Sequence, residues 1–221
     1  MPIMTHTLHR TADQFCPETS VKDVVIIAMA AKDHNREGAS EKLKNVFNIF
    51  RKHNPSNLAD DNRGGILTGL TCEEILDSAT DKAYMGAVFT SYASIKTVLS
   101  ELKEADIGVS IVVSGEIDPV FSILSEIGLK PHTVNLSLGT FGPTELLDSS
   151  EILAITGMCG HGMISRNSVK KKIREIIKGQ TTPRAAALEL ARRCTCGIFN
   201  PELAESIFQE VTGKSDENDH S

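Results

Sequence analysis

Several features of membrane or nucleic-acid-binding proteins are missing from this chain of 221 residues. It has no tryptophan and only two tyrosines, which argues against an aromatic-rich binding surface. No stretch approaches the roughly 18 apolar residues of a membrane helix, and the N-terminal MPIMTHTLHR lacks the apolar centre of a signal peptide. The net charge of −6 is opposite to the basic surface that nucleic acid requires. We therefore expect a cytoplasmic protein that binds neither membrane nor nucleic acid.

The common catalytic signatures are missing as well. The chain contains no G-x-S-x-G nucleophile elbow, no G-x-G-x-x-G dinucleotide fingerprint and no C-x3-C-x2-C spacing for radical chemistry. The segment GGILTG resembles a phosphate loop, but it lacks the lysine and hydroxyl residue that would end one. Any chemistry has to come from a less common pattern.

Apolar runs alternate with helical patterns through the middle of the chain. Strands are predicted at 24–30, 86–90, 107–113, 132–138 and 152–156, and KHNPSNLADDNRGG is predicted to be a loop. A β-α-β-α-β order is typical of parallel strands with right-handed crossovers. We therefore predict an α/β fold: a mostly parallel sheet with flanking helices and a C-terminal helical segment carrying a three-cysteine site.

The predicted organisation has four parts. They are an irregular N-terminal segment over 1–22, an α/β domain over 23–157, a helical cysteine-motif region over 158–212 packed on that domain, and a disordered tail over 213–221. In the third part, helices are predicted at 164–178, 183–193 and 201–211.

Three of the five cysteines lie in this C-terminal region, beside glycines. Cys159 belongs to the sequence C-G-H-G, while Cys194 and Cys196 belong to C-T-C-G. A helical hairpin between the two segments would bring the three thiols together, next to His161. Clustered cysteines in a reducing compartment favour metal binding or catalysis over disulfides. Cys72 is read as a packing residue, and so is Cys16.

The glycines of both segments allow the backbone to bend and leave room for a bulky inorganic group. They are Gly160, Gly162 and Gly197. A helix that begins after Gly162 is expected to lower the pKa of the nearby thiols through its dipole.

Two kinds of metal centre fit these residues. Cys159, Cys194 and Cys196 together with His161 form a closed zinc set. The three cysteines alone fit a [4Fe–4S] cluster with one open iron, and the glycine density favours the cluster. C-x-C spacing is typical of neither centre and does not decide between them.

The second half of the chain resembles a family of uncharacterised proteins from anaerobic bacteria and archaea with a C-terminal CGHG…CxCGIFNP motif. The resemblance rests on HTVNLSLGTFGPTELL, EILAITGMCGHGMIS and CTCGIFNP. The resemblance implies that the cysteines are functionally important, and an anaerobic host would favour an oxygen-sensitive cluster over zinc.

Polar loops after the predicted strands are further site candidates, because ligands bind at the carboxyl ends of parallel strands. His34 or Glu116 could act as a general base. Lys32 or Arg36 could bind a carboxylate or phosphate. If the sheet is parallel, these residues and Cys159 share one edge of it.

Three functions follow from this reading. The first is an iron–sulfur enzyme whose open iron catalyses lyase, dehydratase or sulfur-transfer chemistry on a small anionic substrate. The second is a zinc-binding structural or assembly protein without catalysis. The third is a thiol redox protein using Cys194 and Cys196, since a C-x-C disulfide is strained and easily reduced. The sequence is also compatible with a homo-oligomer.

Overall fold

A computed structural model of the protein describes residues 20–135 and 141–218, with side chains as far as residue 213. Its five described strands form one sheet of order β3-β2-β4-β1-β5. The strands are β1 (Val24–Met29), β2 (Asn57–Asp60), β3 (Gly64–Gly65), β4 (Tyr84–Phe89) and β5 (Ser110–Ser114).

The prediction of a mostly parallel sheet is wrong, because every neighbouring pair of these strands is antiparallel. The prediction rested on the β-α-β-α-β order in the middle of the chain, and the continuous apolar run of β1 did not contradict it, because such runs are common in parallel strands. In the structure that run reflects burial on both faces. Val24, Ile26 and Ala28 pack into one apolar cluster, and Val25 and Ile27 pack into another. Such a run indicates that both faces of a strand are buried, and it does not indicate the direction of the strand.

Four helices belong to the first half of the chain, and all four contribute side chains to the cluster around Val24. They are α1 (Ala39–Lys52), α2 (Cys72–Ser78), α3 (Tyr92–Ala105) and α4 (Ile117–Glu126). β4 lies between β1 and β2, which α1 connects, so the sheet has the split β-α-β arrangement of the ferredoxin-like topology. The carboxyl ends of β1 and β5 therefore lie at opposite ends of the sheet.

The other face of the sheet is covered by the C-terminal helices. They are α5 (Ser150–Gly157), α6 (Arg166–Ile177), α7 (Pro183–Ala191) and α8 (Pro201–Asn218). The three helices predicted after residue 163 are confirmed, and α8 continues beyond the predicted end at 211. All three cysteines of the motif lie in the apolar cluster that these helices form with Val25, Ile27 and Val88. None of the helices described is long and apolar enough to cross a membrane.

Other predicted elements need correction. Residues 152–156, predicted as a strand, lie inside α5, because a short apolar run cannot distinguish a buried strand from a buried helix. The predicted loop KHNPSNLADDNRGG contains β2 and β3. Of the strand predicted at 132–138, residues 132–135 have no regular secondary structure, and residues 136–138 lie outside the described part of the chain.

Asn200 fixes the C-terminal helices to the start of the sheet. This side chain is fully buried. Its Oδ1 accepts the Leu203 N–H at 3.1 Å, which caps the start of α8. Its Nδ2 donates to the Lys22 carbonyl at 3.0 Å and to Asp23 Oδ1 at 3.1 Å. One amide thus satisfies polar groups of both layers.

We expect Asn200→Ala to lower the free energy of unfolding by about 2–4 kcal/mol, since it removes a helix cap and the buried hydrogen bonds to Lys22 and Asp23. Urea unfolding measures the change. Thr182→Ala is the matched control. It removes the cap of α7, where the Thr182 hydroxyl accepts the Ala185 N–H at 3.2 Å on an exposed surface, and should cost about 1 kcal/mol. Equal losses in the two variants would show that the bonds to Lys22 and Asp23 contribute nothing.

Candidate metal centre

The two cysteine segments form turns of the same geometry. The first cysteine turn, Cys159–Gly162, follows α5, and the second cysteine turn, Cys194–Gly197, follows α7. In each, the N–H of the final glycine donates to the carbonyl of the first cysteine, at 3.1 Å and 3.0 Å respectively. Both glycines have positive φ angles, 67° and 69°, which favour a residue without Cβ. The repeated C-x-(His/Cys)-G sequence is therefore a repeated backbone structure.

The turns bring the three thiols together in the protein interior. The sulfurs of Cys194 and Cys196 lie 3.5 Å apart, and the thiols of Cys159 and Cys194 are hydrogen-bonded to each other. All three side chains are buried, with exposed fractions of 4%, 0% and 2% along the chain. Cys194 therefore contacts both of the other thiols, and we refer to Cys159, Cys194 and Cys196 together as the thiol row.

The expected lowering of the thiol pKa values is wrong for two of these residues. The hydrogen bond to Cys194, followed by burial, raises the pKa of Cys159 far above its ordinary value, although two backbone N–H groups, of His161 and Met163, favour the thiolate. For Cys194, the hydrogen bond from Cys159 lowers the pKa, but the bond to Cys196 and burial outweigh it and raise the pKa to about 11. Cys159 follows the end of α5, and α6 does not begin until Arg166, so this thiol is not part of the first turn of the helix that was expected to lower its pKa.

A group of potential metal ligands lies at the solvent-facing end of the row. The ligand atoms of Asp61, His161 and Cys196 all lie within 4.8 Å of one another. Cys196 is buried, Asp61 is half-buried and His161 is exposed. The group draws one ligand from each cysteine turn and one from the sheet, and it combines sulfur, nitrogen and oxygen donors.

The turn between β2 and β3 places Asp61 in this group. Asp60 directs its buried carboxylate inward, where Oδ1 accepts the N–H groups of Asn62 and Tyr84 at 3.1 Å. Burial raises the pKa of Asp60, against the lowering effect of these two bonds and of nearby Arg63. The Asp61 N–H donates to the Tyr84 carbonyl at 2.9 Å. With the backbone held by β4, the Asp61 side chain remains at the surface.

Gly197 brings the second cysteine turn against the same strand. A Cβ built on Gly197 would overlap the Cβ of Ala59 in β2. Only a residue without a side chain permits this approach, which brings Cys196 to the strand that ends next to Asp61. This contact explains how a loop near residue 60 and a turn near residue 196 supply one site.

Asp61 was not among the residues that the sequence analysis identified. The signal available was a short run, Asn57–Asp60, followed by Asp-Asn-Arg-Gly, a composition typical of a tight turn between paired strands. A hairpin prediction here would have placed Asp61 in a turn. Its proximity to Cys196 depends on packing between distant parts of the chain.

The structure separates the other predicted site residues. Lys32 and His34 lie in the exposed loop after β1, with Arg36 half-buried beside them. Glu116 follows β5 at the opposite end of the sheet, where it accepts a hydrogen bond from the Tyr92 hydroxyl at 3.0 Å. The shared edge expected for these residues required parallel strands and does not exist. Gly160 lies half-buried within the first cysteine turn, beside His161.

The close approach at Gly197 predicts a difference between two equivalent glycines. Gly162→Ala should lower the free energy of unfolding by about 1–2 kcal/mol, the strain of an L-residue at positive φ. No clash adds to this strain, because nothing lies within 4 Å of the added Cβ. Gly197→Ala should cost about 1–3 kcal/mol more, since it also forces the second cysteine turn away from Ala59. Denaturant unfolding measures both variants. An equal loss of unfolding free energy in the two variants would contradict the close contact between Gly197 and Ala59.

The raised thiol pKa values predict slow alkylation of metal-free, reduced protein. At pH 8 only about one Cys194 side chain in a thousand would be a thiolate, the reactive form. Iodoacetamide labelling followed by peptide mass spectrometry should therefore modify half-buried Cys72 well before Cys159 and Cys194. Labelling of Cys194 should accelerate as the pH rises toward 11. Equal labelling rates for Cys72, Cys159 and Cys194 at pH 8 would contradict the raised pKa values of Cys159 and Cys194.

No known protein family matches the chain, and neither the curated proteins nor the solved structures include a significant match. The resemblance noted for the two cysteine segments stays a prediction.

Proposed function

We propose that the protein is a metalloenzyme that binds one zinc-type divalent ion through Cys196, His161 and Asp61. The observation that supports this most directly is the convergence of their three ligand atoms within 4.8 Å. Ligands of a single zinc ion lie roughly 3–4 Å from one another, so small side-chain rotations would complete the set. Thiolate, imidazole and carboxylate are all ligands that zinc accepts.

The same contacts argue against the [4Fe–4S] cluster favoured by the sequence. In a four-iron cluster each cysteine binds a different iron, so the sulfurs must stand further apart than ligands of one ion. The sulfurs of Cys194 and Cys196 are 3.5 Å apart, and apolar side chains enclose them. A carboxylate and an imidazole at the end of the row also fit a single ion better than a cluster held by thiolates.

The exposures of the three ligands favour catalysis over a purely structural role. Structural zinc sites are closed by four ligands, whereas catalytic sites keep one position open. Here Cys196 holds the interior side of the site, and exposed His161 and half-buried Asp61 form its outer rim. An ion bound in this way would supply Lewis-acid catalysis to a substrate oxygen.

Cys194 and Cys159 have a supporting role in this proposal. Both pKa values are raised, so both side chains carry protons at neutral pH. Cys194 contacts the sulfur of Cys196 and fixes its position in the core. Cys159, one step further along the row, is not required as a ligand.

Metal and sulfide analysis of protein isolated without oxygen tests the proposal. We expect colourless protein with about one zinc per chain and no acid-labile sulfide. Cys196→Ser, His161→Ala and Asp61→Ala should each weaken zinc binding at least tenfold, measured by competition with a chromogenic chelator. Cys72→Ser, a half-buried cysteine outside the site, is the control and should bind zinc normally. Brown protein with stoichiometric iron and sulfide would support the cluster instead.

Cobalt substitution distinguishes the ligand sets, because the intensity of the cobalt–thiolate charge-transfer band increases with the number of bound thiolates. We expect the intensity of one thiolate and an unchanged spectrum in Cys159→Ser. A three-thiolate intensity that falls in Cys159→Ser would indicate a closed Cys3His site and remove the argument for an open position.

A further inference from the structure

A second feature of the molecule has the properties of a ligand site. A groove of about 2030 Å³ runs between the end of β1, the edge strand β5, α4 and the segment 129–135. This volume exceeds the roughly 300–1,000 Å³ of a typical small-molecule pocket. The groove therefore has room for an extended organic molecule.

The groove is strongly cationic, although the chain as a whole carries a charge of −6. Among the residues that the structure describes, six lysines and arginines line it together with one carboxylate, that of Glu74. The six are Lys32, Arg36, Arg63, Lys82, Lys103 and Lys130. The Glu74 carboxylate is already engaged, because it accepts the Thr71 N–H at 2.8 Å and hydroxyl at 2.9 Å.

These cations differ in their pairing from most lysines and arginines in the rest of the described chain. None of the six forms an ion pair with a carboxylate in the described ranges. By contrast, ten lysines and arginines outside the groove do so. Lys103 donates to the Ile127 carbonyl at 2.6 Å, and Arg63 influences Asp60 only at longer range. Like charges around one concave surface repel each other, and a bound anion would relieve that repulsion.

Arg36 adds a more specific observation. Its Nε is shielded from water and has no hydrogen-bond partner among the described residues. A buried N–H without a partner is unfavourable, because the group has lost its hydrogen bond to water and gained none in the protein. Because Arg36 lines the groove and its guanidinium is not fully satisfied within the described part of the protein, this side chain is suited to bind an anion there.

One wall of the groove is apolar. It is formed by side chains from α3, β5 and α4: Leu99, Leu102, Ile111, Val113, Phe121 and Leu124. A site that joins an apolar wall to a cationic rim matches a ligand with an apolar body and several negative charges. Inorganic anions would use only the rim.

We infer that this groove binds a small organic polyanion, a molecule with two or more phosphate or carboxylate groups attached to an apolar body. The inference goes beyond the proposed metal centre and does not depend on it, because none of the three proposed metal ligands lines the groove.

Isothermal titration calorimetry on full-length, metal-free, reduced protein tests the groove. The probes are ATP, citrate, inorganic tripolyphosphate and neutral adenosine. We expect ATP to bind at least tenfold more tightly than adenosine and several-fold more tightly than tripolyphosphate, with an affinity that falls as salt is added. Citrate shows whether carboxylates serve as well as phosphates. Equal binding of ATP and adenosine, or no binding of any probe at millimolar concentration, would overturn the inference.

Charge-matched variants locate the site. Replacing Arg36, Lys82 and Lys130 together by Gln should weaken ATP binding at least tenfold. The control replaces Arg174, Lys178 and Arg192 by Gln, which changes the net charge equally but lies outside the groove. Equal weakening in both variants would indicate unspecific charge attraction and contradict the site. Tighter binding of a single-stranded oligonucleotide than of ATP would contradict a small ligand.

The same variants separate this test from that of the metal centre. Both triple variants should keep the zinc content of the unmodified protein. His161→Ala should lose zinc but bind ATP normally in the metal-free assay. Either proposal can therefore fail while the other stands.

Discussion

The close packing of the second cysteine turn against β2 is the contact on which the candidate metal centre depends. Gly197 has no side chain, so its backbone lies where a Cβ would overlap Ala59. β2 ends at Asp60, and the following residue, Asp61, therefore lies near Cys196. The first cysteine turn adds His161. Segments that are far apart in the sequence thus meet because Gly197 has no side chain.

The two faces of the sheet are covered by cores of different composition. One face carries α1 and α3 around a core of aliphatic and phenylalanine side chains. The other carries α5 to α8, and its core includes the three cysteines. Hydrogen bonds between the thiols, followed by burial, raise the pKa values of Cys159 and Cys194 and keep protons on both side chains. The thiol row is thus a neutral part of the core that ends at a polar, solvent-facing group of ligands.

The sequence indicated the local elements better than their arrangement. Three strands and the last three helices were predictable, because apolar periodicity and N-capping residues act within a few neighbouring positions. Strand direction was not predictable from β1, since burial on both faces gives the same apolar run in either direction. The run Ile152–Thr156 was ambiguous for a related reason, and only packing made it part of α5. Clustering of Cys159, Cys194 and Cys196 could be proposed from their glycines, whereas Asp61 could not, because no local pattern relates residue 61 to residue 196.

The turn after β2 connects the two proposed sites. Asp61 belongs to the ligand group, while the next two residues, Asn62 and Arg63, line the cationic groove. Asp60 holds this turn rigidly through its hydrogen bonds to Asn62 and Tyr84, and Tyr84 also lines the groove. An anion bound at Arg63 would therefore contact a residue two positions along the chain from the Asp61 ligand. The two proposed sites share this one turn of the backbone, so a change that displaces the turn from β4 would disturb both of them.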